Sequence, residues 1–305
     1  MAERLDAEVE LVEITTSGDE SRSQSGLRQG SDPHPIRESG EKGGGSDPHP
    51  PRFGDKSRFV KEIEEALLRG DVDLAVHSAK DVPGELPVGL AIVGVPARAD
   101  ARDALCGAAA LDDLPEGARV GTGSLRRRSQ LLAARPDLLV ADLRGNVDTR
   151  LRRLADGDYD ALVLAAAGLA RLGRDEGEPI PAAAMVPAPG QGCLALEARA
   201  DDERMAALAA PLTDHEALTA LTAERALVVE LDATCNTPVA AHAETSDGLL
   251  RVSAFAGLPD GSRWIRDSLE GDPADPAALG RAVAERLLAA GAAELLAEAE
   301  RAAAA

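Results

Sequence analysis

The chain has 305 residues, 44% hydrophobic but only 2% aromatic, and carries 53 acidic against 33 basic side chains for a formal charge of −20. That length exceeds one hydrophobic core and implies two or three domains, with interiors of Ala, Leu and Val. The mean negative field argues against general binding of nucleic acid or anionic membranes, and points to solubility or a strongly solvated setting.

At the N-terminus there is no charged-then-apolar leader, and nowhere does an apolar run approach about twenty residues, so neither export nor membrane spanning is supported. Residues 6–16 (DAEVELVEITT) predict a strand, and residues 17–51 a loop rich in Gly, Ser, Pro and charge. GSDPHP occurs twice in that loop, at 30–35 and 45–50. Pro-flanked histidines without a further ligand cluster are weak metal ligands; a local duplication is the better reading, since long loops accept insertion cheaply.

Residues 57–69 predict a helix with Phe59, Ile63, Ala66 and Leu67 on one face and Gly70 just past its end. Residues 71–78 (DVDLAVHS) follow as a short apolar run, expected to be a buried parallel strand with Lys80 and Asp81 beyond its carboxyl end, where ligands collect in open α/β sheets. As an isolated acid, Asp81 reads more readily as the cap of a turn before Pro83. Strands at 119–121, 138–143 and 160–165 alternate with helices at 125–134 and 147–155, which predicts a parallel sheet. Residues 186–192 (VPAPGQG) look like a connector returning from this second lobe. A helix at 218–231, a hairpin around 259–261 and a final Ala/Leu helix from about 276, N-capped by Asp275, read as a small α+β domain.

Between Arg126 and Arg174 stand ten arginines against six aspartates, with no Glu or Lys, in a protein of the opposite overall sign. Thr122 and Ser124 precede Arg126 and Arg127 at a strand-to-helix turn, where free N–H groups and the helix dipole favour anions. Arg144 and Asn146 repeat this at the next strand end, with Arg150 one turn on. Arg128, Arg135, Arg152, Arg153 and Arg174 fit a solvated helix face; Arg126, Arg127 and Arg144 fit a site for a ligand with several carboxylates or phosphates. One Trp, one Tyr and three Phe leave little to stack on bases.

Cys106, Cys193 and Cys235 are too few and scattered for a disulfide framework or a paired metal spacing, which fits a reducing cytoplasm. Residues 231–240 (LDATCNTPVA) place Cys235 in a loop after a helix, a setting that permits exposure, although a single cysteine is usually structural.

Taken in order, VHSAKDVP, GTGSLRRRSQL, LRGNVDTRL, DALVLAAAGLARLG, PAPGQG and LTAERALVVELDATCNTPV resemble the porphobilinogen deaminase (hydroxymethylbilane synthase) family over roughly residues 6–300 outside the loop insertion. The resemblance implies two periplasmic-binding-protein-like α/β lobes, residues 1–97 with 190–212 and residues 98–189, and a small C-terminal α+β domain over 214–305. It implies a cytoplasmic, monomeric transferase of tetrapyrrole (porphyrin and haem) biosynthesis. Such an enzyme condenses four porphobilinogen molecules head to tail, releases ammonia each time and finally hydrolyses off hydroxymethylbilane. Each pyrrole carries an acetate and a propionate, so the growing chain is a polyanion.

By the same resemblance, a dipyrromethane primer is joined through a thioether to Cys235, and Asp81 is the catalytic carboxylate. Asp19, Lys56, Ser78, Lys80, Thr122, Ser124, Arg126, Arg127, Arg144 and Asn146 match cofactor-binding positions, Arg150 and Arg171 match substrate-binding ones, and no metal is implied. Lys56 and Phe59 match the end of a mobile loop, which puts the insertion in a lid.

The chain departs from the family where an R-I-A-T-R-x-S-like strand and helix are usual at the start, which suggests a start codon placed downstream of the true one. It also has Ala233-Thr234 where Gly-Gly is common and Ala240 where Gly is usual. Two other readings are a non-catalytic or impaired homologue and a two-lobed anion-binding module of the solute-binding kind, which needs neither Asp81 nor Cys235.

Overall fold

The computed structural model describes residues 9–12, 14, 56–234 and 237–304, without the side chains of 56–59, 303 and 304. The expected 17–51 loop with both GSDPHP copies, Asp19, and Cys235 itself lie outside the described residues, as do the side chains of Lys56 and Phe59.

Helix α1 (Lys56–Arg69) buries Val60, Ala66 and Leu67, has Arg69 in its last turn, and is followed by Gly70 at φ +77°. Strands β1 (Ala75–Ser78) and β2 (Leu90–Gly94) follow. The second lobe then runs β3 (Asp103–Cys106), β4 (Arg119–Gly121), α2 (Leu125–Ala134), β5 (Leu139–Ala141), α3 (Val147–Ala155), β6 (Ala161–Ala165), α4 (Ala166–Arg171) and β7 (Glu178–Pro179). A connector returns the chain to the first lobe through β8 (Leu194–Arg199) and α5 (Glu203–Ala209). The C-terminal domain comprises α6 (His215–Glu230), β9 (Val239–Ser246), β10 (Leu249–Gly257), β11 (Trp264–Gly271), α7 (Pro276–Ala289) and α8 (Ala292–Ala304).

Each unit has its own sheet, in the orders β1-β8-β2, β5-β4-β6-β3-β7 and β11-β10-β9. The middle sheet is mixed rather than wholly parallel: β4 runs parallel to β5 and β6, while β3 is antiparallel to both β6 and β7. Helical crossovers α2 and α3 join the parallel strands β4, β5 and β6; β3 reaches β4 without such a crossover and lies antiparallel beside β6, and β7, which follows β6 through α4, pairs on the far side of β3. In β6, Ala161 and Val163 enter one core and Leu162 and Leu164 the other, so this strand is apolar on both faces because both are covered.

β1 also corrects the expectation of a buried parallel strand. It is shorter, pairs antiparallel with β8, and forms an edge of its described sheet with Val76 51% exposed. The antiparallel sense follows from the connector, which brings the chain back from the other lobe in the opposite direction. The strand expected at 6–16 is not seen among its described residues: 9–12 and 14 carry no strand, and Val9, Leu11 and Val12 are exposed. An alternating segment with no ladder partner gains little from extension.

In the C-terminal domain the expected hairpin joins β10 to β11, with Leu258 N–H donating to Arg263 O. Asp275 caps α7 by accepting from the Ala278 N–H, with Pro276 in the first turn. The expected single last helix is two, α7 and α8, broken at Gly291 with φ +96°. β9 was not foreseen, because its AAHAETS run lacks the β-branched and aromatic signature of a strand. Its place is decided by packing, where Val239, Ala241 and Ala243 join Leu227, Val252, Val283 and Leu287 in one core.

Candidate active site

β1 ends in a single 3₁₀ turn, Ala79–Asp81, which is held down where the Ala79 N–H donates to Cys193 O at 3.1 Å. Ala79 and Val82 are buried on either side, leaving Ser78, Lys80 and Asp81 half-buried at the carboxyl end of the strand. Just beyond, the chain meets the end of α6: Arg225 Nη2 donates to Gly84 O at 2.7 Å, and a Cβ on Gly84 would stand 3.3 Å from both Val228 and Val229. Helix α6 leads directly toward Cys235. The residues bracketing that cysteine are tied together, since Thr234 N–H donates to Thr237 Oγ1 at 2.9 Å and Thr237 N–H returns to Thr234 O at 3.0 Å. The turn bearing Asp81 and the segment leading to Cys235 thus share one junction.

The connector forms the floor of that junction. Gly190, at φ +72°, lies so close to the turn that a Cβ there would be 2.9 Å from Ala79 C and Lys80 N. Its N–H donates to Glu224 Oε2 at 2.6 Å, while Glu224 Oε1 accepts from the Ala243 N–H and from Arg98 Nη1, both at 2.7 Å. Arg98 in turn donates through Nε to Gln191 O at 2.9 Å. Glu224 is wholly buried, yet Arg98 and His242 hold its carboxyl below the usual range against the opposing effect of burial. Gly190→Ala is expected to cost about 1–3 kcal/mol from the left-handed backbone alone. Because the clash is with the backbone of Ala79 and Lys80, turnover should fall more steeply than urea-measured stability.

The other side of the connector meets a buried charge cluster. Asp103 on β3 is fully enclosed and accepts from Arg126 Nη1 at 2.8 Å, Arg126 Nη2 at 3.1 Å and Arg127 Nε at 2.9 Å. Gln191 Nε2 joins it at 2.9 Å. Arg126 also donates to Val186 O and Arg127 to Val163 O, so both guanidiniums are turned inward, and Arg126 Nε is buried without a partner among the described residues. Burial alone would raise the Asp103 carboxyl; the two guanidiniums outweigh it and hold the group well below the usual carboxylate range. Two cations against one anion leave a net positive charge under the first turn of α2.

Two helix N-termini open above that charge. At α2, Ser124 Oγ accepts from the Arg127 N–H and Thr122 Oγ1 from the Ser124 N–H at 3.3 Å. At α3, Asn146 Oδ1 accepts from the Thr149 N–H at 2.9 Å. Arg150 donates through Nε to Gly145 O at 2.8 Å and has no carboxylate within ion-pair reach among the described residues; burial depresses its pKa. Arg144 is exposed and only 3.7 Å from Asp142, and Arg171 Nη2 donates to Gly192 O at 2.9 Å. The connector therefore gathers Lys80 and Asp81 from one lobe with Arg127 and Arg171 from the other. By contrast, Arg135, Arg153 and Arg174 are paired locally with Asp137, Asp158 and Asp148.

Residues 1–207 match the family model "porphobilinogen deaminase, dipyromethane cofactor binding domain", and residues 218–289 match "porphobilinogen deaminase, C-terminal domain". The porphobilinogen deaminase of Roseiflexus sp. strain RS-1 is 52% identical over 249 residues, covering 80% of this chain and 82% of that one. This chain belongs to the porphobilinogen deaminase family. The Deinococcus radiodurans member is 49% identical over 248 residues, covering 80% of each chain, and the Brevibacillus brevis member 47% over 253 residues, covering 81% of each.

The donor set of this deaminase-family chain fits the dipyrromethane cofactor that its first domain is built to bind. A group bearing several carboxylates needs cations that lack an internal counter-ion, which Arg150 and the surplus charge at Arg126 and Arg127 supply, and it needs free N–H groups, which the starts of α2 and α3 supply. Among the described residues no group of three or more His, Cys, Asp or Glu could hold a metal ion, and no helix is long and apolar enough to cross a membrane.

Four residues of the junction escaped sequence reasoning: Arg98, Asp103, Gln191 and Glu224. The available signal was an acid inside an otherwise apolar context, Asp103 opening DALC and Glu224 within LTAERALVV. An acid in such a position is buried only with partners.

Proposed function

We propose that the chain is a hydroxymethylbilane synthase, a transferase that joins four porphobilinogen units head to tail with loss of ammonia, acting as a cytoplasmic monomer. The observation that carries this reading is the shared junction of the Asp81 turn with the end of α6, the helix leading to Cys235, across a connector gripped by arginines of the second lobe. A solute-binding module would need the arginines but no acid-bearing turn seated against the helix that precedes Cys235.

In this reading the dipyrromethane attached through Cys235 supplies the primer to which new units are added. Asp81 accepts pyrrole N–H groups and stabilises the positive charge that develops as ammonia leaves, an effect aimed at the transition state. Ser78 and Lys80 hold side-arm carboxylates beside it. Thr122, Ser124 and Asn146 orient further carboxylates at the helix starts, and Arg126 and Arg127 act on them chiefly through their field. Arg144 joins them in holding the cofactor, Arg150 and Arg171 bind the acetates and propionates of incoming substrate, and Asp19 from the segment before α1 and Lys56 at its first position also contribute.

The intact mass of purified protein is expected to exceed the sequence mass by one dipyrromethane, with a positive Ehrlich-type colour reaction. Cys235→Ser should abolish both. An unmodified Cys235 thiol in fully folded, porphobilinogen-exposed protein overturns the assignment.

A further inference from the structure

Helix α1 and strands β1 and β8 bring three ionisable side chains into one enclosure in the first lobe. Glu64, His77 and Glu197 are buried, with 5%, 6% and 0% of their surfaces exposed. His77 Nε2 and Glu197 Oε2 stand 2.8 Å apart. Even so, His77 Nε2, both Glu197 oxygens and Glu64 Oε1 have no aligned hydrogen-bond partner among the described residues. From the C-terminal domain α6 adds Arg225, which is half-buried and feels the charge of Glu197; β2 (LAIVG) adds no charge, and the 3₁₀ turn packed against α1 carries Lys80 and Asp81.

Glu197 thereby acts on both ends of the segment that carries Asp81. Upstream it meets His77, the residue before Ser78. Downstream it faces Arg225, whose Nη2 holds Gly84 O at 2.7 Å. Native enclosures do not leave this many polar atoms unpaired without a reason. The charge balance supplies one: among the described residues Glu197 faces Arg225 and His77, and a second ionised carboxylate on Glu64 would have to share His77 with it.

We propose that Glu64, His77, Glu197 and Arg225 form a proton-sharing positioning network, in which a proton retained on Glu64 keeps the buried charges balanced and holds residues 77–84, Asp81 among them, in place. This rests on the synthase reading for its catalytic half only. Burial first, and then the like charge of Glu197, push the Glu64 carboxyl above its ordinary 4.5, with His77 pulling back only in part. A carboxyl raised by folding stabilises the protein fully at low pH. That contribution is lost as pH climbs from the ordinary value through the raised one.

Glu197→Gln would leave a buried amide beside His77 and take the counter-charge from Arg225, and is expected to fold poorly, so Glu64→Gln carries the test. Glutamine copies the protonated acid and cannot ionise. Parent and E64Q should therefore melt together below about pH 4, and the variant should become the more stable by roughly 2–4 °C toward pH 8. Over the same span the kcat of E64Q relative to the parent should climb about threefold at nearly constant KM for porphobilinogen. A melting difference that does not change with pH overturns the network, because a purely structural glutamate would give that result. Diverging melting curves with parallel kcat profiles overturn the positioning role. Diverging melting curves in a parent that does not consume porphobilinogen support the shared proton and defeat the synthase reading instead.

Discussion

Asp81→Ala is expected to lower porphobilinogen turnover by a factor on the order of 10²–10³ or more, the loss typical when a preorganised group aimed at transition-state charge is removed. Stability should change little, because Asp81 is half-buried in a single turn and the neighbours that anchor that turn, Ala79 and Val82, remain. Asp81→Glu separates charge from placement. It keeps the carboxylate but carries it outward by one methylene, and a displacement of about 1 Å can cost on the order of 10² in rate. Both variants should keep the dipyrromethane mass increment if attachment precedes turnover, and circular dichroism should confirm that both are folded. Parent, Asp81→Glu and Asp81→Ala proteins that consume porphobilinogen equally fast would remove Asp81 from the chemistry.

The second large effect is on stability. Asp103→Asn should destabilise the protein by about 3–5 kcal/mol in urea titration, because two buried guanidiniums would face each other without a counter-charge. Asparagine preserves the shape and can still accept a hydrogen bond, so the loss reports charge rather than a cavity. The same carboxylate dictates a response to acid. Its folded pKa lies below the unfolded value near 3.9, so its stabilisation is complete above that value and drains away as pH falls further. The parent should therefore lose stability below about pH 4 more steeply than Asp103→Asn, which has already lost the contribution. A variant within about 1 kcal/mol of the parent at neutral pH would mean that the cluster is balanced by something other than Asp103. Because Gln191 ties this cluster to the connector, the substitution should also loosen Gly190 against Lys80 and depress turnover.

Much of the local structure was legible in the residues. The apolar stripe of α1, the cap at Asp275 and the hairpin near Asp260 follow from neighbours a few positions apart, and their energetics are settled within a turn or two of chain. The arginine-rich span was equally visible as a charge anomaly, as was the order of six segments that resemble one family. Pairing direction was less accessible. The run before Ser78 reads the same whether its neighbour is parallel or antiparallel, and only the return of the connector decides for antiparallel.

The family is written in the order of the residues: an acid at a strand end, arginines at helix starts, a cysteine after a helix. Which charges are available to a ligand depends instead on how the chain packs. Arg126 and Arg127 look no different from Arg150 in a string of letters, yet Asp103, more than twenty residues upstream, draws them inward, while Arg150 has no such partner among the described residues. A guanidinium is directed by the nearest carboxylate in space, and that neighbour is set by how strands and connectors pack, over separations that no local pattern records.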